Sequence, residues 1–190
     1  MEELRQNSDI QERGKEGGRG RPSGSRQGSK VSARSLTISA LLAAAALMLS
    51  YVEFLVPVNL GLPGIKTGFA NICVVLALYY LGPRYALAIN IVRIALCAML
   101  FGSLSSGLYA LCGGMVSLAA MILLKKTEVF SITGVSMAGG AFHNLAQAAL
   151  ACAAASTAKM FLYLPVLLIA GMIAGIFNGV VANLVLRKLT

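Results

Sequence analysis

Residues 35–57 read SLTISALLAAAALMLSYVEFLVP, a run whose one charged side chain is Glu53. A helix crossing a bilayer needs about 20 predominantly apolar residues, and this stretch supplies them. It is closed by Pro57 and by the turn Asn59-Leu60-Gly61-Leu62-Pro63-Gly64. The pattern then repeats. A second apolar run, shorter than a usual span, covers residues 67–81 and stops at Gly82-Pro83; a third covers 84–101. A Gly/Ser turn at 102–107 leads into a fourth, which ends at Lys125-Lys126, and the last two cover 131–157 and 161–187. The connections are short, so the sequence predicts an all-α integral membrane protein, a compact bundle of about six transmembrane helices with antiparallel neighbours.

Composition agrees. Of 190 residues, 57% are hydrophobic and 12% charged, with a mean hydropathy of +0.78, where soluble domains carry roughly a quarter charged residues. Residues 1–34 hold eight of the 16 Lys/Arg and five of the seven Asp/Glu; the rest of the chain has two acids, Glu53 and Glu128. No water-facing surface can be built from that remainder. The 1–34 segment is rich in Gly, Ser, Arg, Gln and Glu. It cannot bury enough apolar area to offset chain entropy, so it is expected to be a disordered basic tail ahead of a 35–190 membrane domain. Its cations suit anionic headgroups; nucleic acid is not an expected partner, because no aromatic residue is interleaved with them.

Six spans put both termini on one side. With the termini inside, the inner segments collect the tail cations, Arg84, Lys125, Lys126, Arg187 and Lys188, and the outer segments only Lys66 and Lys159. The positive-inside rule therefore predicts cytoplasmic termini. Small residues offer packing faces: Gly171, Gly175 and Gly179 recur every four residues, as do Ala40 and Ala44.

Ionisable and amide side chains at membrane depth are costly and mark function or interhelical hydrogen bonding. Arg93 lies near the middle of the third run. His143, Asn144 and Gln147 cluster in the fifth, with His143 and Gln147 on one face; Asn71 sits one to two turns into the second run after Lys66, and Asn178 belongs to the sixth. Each has a structural reading as well as a functional one. Arg93 can satisfy backbone carbonyls, His143 and the amides can join helices, and Glu53 with Lys66 can form an interfacial ion pair. Taken together, Lys66, Asn71, Arg93, His143, Asn144 and Gln147 could line a site, open to the outside, for a small polar solute with anionic character.

Several chemistries find no residues to carry them. No nucleotide-binding loop is present, so an ATP-driven step needs another subunit. The one aspartate is Asp9, in the tail, which leaves no carboxylate pair for magnesium and a diphosphate. Cys73, Cys97, Cys112 and Cys152 lie inside apolar runs without a C-x-x-C, so neither a metal site nor a disulfide framework is expected. No cofactor and no catalytic residue are expected.

The stretch Pro63-Gly64-Ile65-Lys66-Thr67-Gly68-Phe69-Ala70-Asn71-Ile72, the Arg93 helix, Gly113-Gly114, and Gly134-Val135-Ser136 leading to His143-Asn144-x-x-Gln147 resemble the Gx transporter family. That family is also labelled heptaprenyl diphosphate synthase component I. It is similar in size and span count to the substrate-binding S components of energy-coupling factor (ECF) transporters. The resemblance covers about residues 35–188. It implies a six-helix bundle that captures a small solute from outside, with a transmembrane coupling subunit and an ATPase pair as partners. It also implies that Ala40 and Ala44 meet the coupling subunit, and that the loop holding Gly61, Pro63 and Gly64 gates the site. A non-catalytic membrane component of isoprenoid synthesis, and a stand-alone secondary transporter with His143 as proton relay, are the alternatives.

Overall fold

The computed structural model describes residues 33–55, 68–155 and 162–189. Six helices account for nearly all of them: α1 Ala33–Leu55, α2 Asn71–Tyr80, α3 Pro83–Leu100, α4 Leu104–Lys126, α5 Ile132–Ala155 and α6 Leu164–Leu189. No strand occurs among the described residues. The all-α membrane bundle read from the sequence is the fold. Residues 1–32 of the expected tail, the loop with Gly61, Pro63 and Gly64, and both Lys66 and Lys159 lie outside the described residues, whereas Ala33 and Arg34 already belong to α1.

Four helices, α1, α3, α4 and α6, are long and apolar enough to cross a membrane by length and composition. The other two differ for physical reasons. At 1.5 Å per residue the ten residues of α2 rise only about 15 Å, half of a hydrocarbon core of about 30 Å. Cys73 through Leu78 are all buried, so α2 is the apolar centre of the bundle, packed by α1, α3 and α6. α5 has the length but dilutes its apolar content with Thr133, Ser136, three glycines, His143, Asn144 and Gln147.

Local sequence explains the helix ends. Gly82 adopts φ +101°, which a side chain would resist, and Pro83 then opens α3 with its φ preset. At the other end of α3 the expected Gly/Ser turn is shorter than 102–107. Ser103 caps α4, its hydroxyl accepting the Ser106 N–H at 3.2 Å, so Ser105, Ser106 and Gly107 are already helical. Gly107 makes this possible: a Cβ there would lie 2.7 Å from that of Ala98 on α3.

The bundle is held most closely at α5 and α6. Along one face of α6, Gly171 lies against Gly140, Gly175 against Ser136 and Met137, and Gly179 against Thr133, backbone to backbone, with the Ser136 Cβ also against Gly179. Lipid tails compete equally for apolar side chains, so close backbone approach supplies the attraction here. α4 joins the pair through the Ser117 hydroxyl, which donates to Gly139 O at 2.7 Å. α1 is peripheral: Ala46 is its one buried residue, and Ala40 and Ala44 lie on its exposed side with Leu41 and Met48.

One end of the bundle gathers cations. Lys125 Nζ donates to Leu78 O at 2.6 Å and lies 4.6 Å from the centre of the Tyr79 ring. It thereby satisfies a carbonyl in the last turn of α2, the negative end of that helix. The C-terminal ends of α2 and α4 therefore share a level, which alternating antiparallel helices require.

Candidate functional site

The polar side chains fall into two groups on either side of α4. Its Gly113-Gly114 pair is what lets both approach. A Cβ on Gly113 would meet Gln147 Cγ at 2.9 Å and His143 Cε1 at 3.0 Å; one on Gly114 would meet Asn90 Nδ2 at 2.8 Å and Ile94 Cδ1 at 2.9 Å. His143 and Gln147 do share a face, as the spacing required, and that face is turned to α4.

On the α5 side the amides join helices. Asn144 Nδ2 donates to Leu167 O on α6 at 2.7 Å, and Gln147 Nε2 reaches Tyr109 O on α4 at 3.4 Å. Asn144 therefore carries the interhelical role that the sequence left open beside ligand contact, and Gln147 makes a weaker bond of the same kind.

On the α3 side the arrangement is different. Arg93 Nη2 donates to Asn90 Oδ1 at 3.0 Å, one helical turn earlier. A guanidinium offers donors only, so Asn90 must present its oxygen to Arg93 and its NH2 elsewhere. That NH2 faces Gly114. Asn90 is 1% exposed, and its Nδ2 and the Arg93 Nε are buried without a hydrogen-bond partner. Among the described residues, Cys97 of α3, Glu53 of α1 and Cys73 of α2 are near enough to the guanidinium to act on it electrostatically.

Glu53 also reaches the start of α2. Its Oε1 accepts the Phe69 N–H at 3.2 Å, while the carbonyl of the same peptide unit, Gly68 O, accepts from Asn178 Nδ2 at 3.0 Å. The Gly68–Phe69 peptide is thus gripped on opposite sides by α1 and α6. Gly68 holds φ +69°, a conformation that favours glycine, and the Phe69 ring packs edge-on to Phe177 at 5.6 Å. The Glu53 carboxylate is in this way tied to the α2 entry, while its expected partner Lys66 lies outside the described residues. Asn71 follows directly, half-buried in the first turn of α2.

The model for the family described as heptaprenyl diphosphate synthase component I matches residues 42–185. The chain belongs to that family. The match to heptaprenyl diphosphate synthase component I takes in α2 to α5 entire and most of α1 and α6, with every polar residue described above. No curated relative and no solved structure gives a match.

One residue of this heptaprenyl diphosphate synthase component I member escaped the sequence reading. Asn90 was hidden by its apolar neighbours, although its place three residues before Arg93 put both on one helix face. Glu53, expected near the membrane surface, has its bond to the Phe69 N–H as an addition that the sequence did not indicate. Among the described residues no group of three or more His, Cys, Asp or Glu side chains could hold a metal ion.

Proposed function

We propose that this chain is the substrate-binding membrane subunit of an ECF-type transporter, capturing a small polar solute from outside the cell. The observation that supports it best is Arg93. A cation with a buried donor lacking an acceptor, on a mid-bundle helix, is expensive, and such residues mark substrate or ion pathways in membrane proteins. The exposed Ala40/Ala44 face of α1 fits a second role, close packing against a transmembrane coupling subunit, with an ATPase pair supplying the energy. In this reading the chain is not an enzyme and resides in the bacterial plasma membrane. The Lys125 end, with Arg84, Lys126, Arg187 and Lys188, faces the cytoplasm together with both termini.

The test is affinity purification of the full chain from native membranes in mild detergent. Recovery with one coupling subunit and two ATPases is the expected result. Isolation of the chain alone, with no ATP-dependent uptake in its presence, would sink the proposal. A second reading, a non-catalytic membrane partner in heptaprenyl diphosphate synthesis, is favoured by the family's description. It predicts that adding the chain to a reconstituted synthase alters product chain length; unchanged products would remove it.

A further inference from the structure

We propose that Asn90 and Arg93 form a two-donor seat for a carboxylate group, so that the captured solute is a carboxylic acid. This deepens the transport reading and rests on it. Nothing in the sequence pattern singled out Asn90. The inference comes from what the two side chains do to each other.

Arg93 fixes the Asn90 carboxamide by donating to its oxygen at 3.0 Å. The amide thereby lies over the bare backbone of Gly114, with its NH2 the nearer end. On each residue one buried nitrogen is left without an acceptor, Asn90 Nδ2 and Arg93 Nε, both shut off from solvent. Buried donors without acceptors are costly, more so when charged, and native proteins rarely keep them without a reason. Two leftover donors, one helical turn apart on one face, call for a group with two acceptor atoms and no hydrogen of its own. A carboxylate meets that description, with one oxygen for each donor.

Charge narrows the choice further. A carboxylate brings one negative charge to one guanidinium. A phosphate monoester brings about two, at a depth where uncompensated charge is costly, to a cation already under the influence of Glu53. An amine has no acceptor for either donor. Gly114 has a direct part in the seat, because any side chain there would press on the Asn90 NH2.

The probe is the set of small molecules extracted from the purified full chain and identified by mass spectrometry, compared among wild type, Asn90→Asp and Gly114→Ala. Asn90→Asp keeps the shape and the bond to Arg93 but turns the second donor into an acceptor that repels a carboxylate. Gly114→Ala adds a methyl 2.8 Å from Asn90 Nδ2 and 2.9 Å from Ile94 Cδ1, both ends of flexible side chains. That variant keeps its helix and tests the seat if Asn90→Asp fails to fold, with circular dichroism as the check. A carboxylic acid is expected from wild type, retained about tenfold less or worse by both variants. A retained solute without a carboxylate overturns the proposal, as does full retention by folded Asn90→Asp or Gly114→Ala. A wild-type chain that retains no solute overturns the transport reading itself.

Discussion

Gly175→Ala isolates the contact that holds α5 to α6. The added Cβ would lie 2.5 Å from Ser136 O, 2.7 Å from Met137 Cα and 3.1 Å from Met137 N. All three are backbone atoms of a regular helix, so none can swing aside as a side-chain tip would. The first is about 0.9 Å short of ordinary contact, and the helices must part by a comparable amount. A gap of 0.5–1 Å forfeits about a quarter to a half of each dispersion contact along the seam. Overpacking of this kind costs about 1–3 kcal/mol, and the gain in helix propensity on losing a glycine, about 1 kcal/mol, offsets only part of it. Gly134→Ala is the internal control. It lies on α5, the other helix of the pair, but its new Cβ would find its nearest neighbours at 3.6–3.8 Å, so the propensity gain should stand unopposed. Reversible unfolding of the two variants in mild detergent, followed by circular dichroism, should move stability in opposite directions. If Gly175→Ala matches or exceeds the wild type, backbone contact is not what holds this pair.

Glu53→Gln keeps an acceptor for the Phe69 N–H but removes the charge near Arg93, whereas Glu53→Ala removes both. The alanine variant should lose about 1–2 kcal/mol more stability than the glutamine variant, read in the same unfolding assay. Lys125→Met uncaps Leu78 O and ends the contact with the Tyr79 ring, and should destabilise by about 1 kcal/mol, with protease sensitivity near the α2–α3 turn as a local readout. Ala40→Leu combined with Ala44→Leu adds bulk to an exposed face. It should weaken association with a coupling subunit in a pull-down while retention of solute stays at the wild-type level; equal loss of both would make those alanines part of the bundle packing.

Most of the architecture was legible because a bilayer asks a simple question of a sequence, and runs of about 20 apolar residues answer it. The Gly171/Gly175/Gly179 ladder could be read for the same reason: close packing in lipid leaves small residues at a helical period. α2 was legible as short but not as central, since an apolar run looks the same whether lipid or protein surrounds it. The site was harder. Arg93, His143 and Gln147 stood out as polar residues in apolar runs, but which donors are already spent depends on neighbours far apart in the chain. Asn144 reaches Leu167 and Asn178 reaches Gly68 across separate helices. The pairing of Asn90 with Arg93 and the double grip on the Gly68–Phe69 peptide likewise appear only once the helices are assembled.

The central claim is that this chain captures a solute and relies on partners for energy. Uptake of the retained solute into liposomes tests it most directly, with the chain reconstituted alone, with its co-purified partners, and as Arg93→Ala in the full complex. Uptake only with partners and ATP, and none with an assembled Arg93→Ala complex, is the predicted result. Uptake by the chain alone, or undiminished uptake by Arg93→Ala, would contradict it.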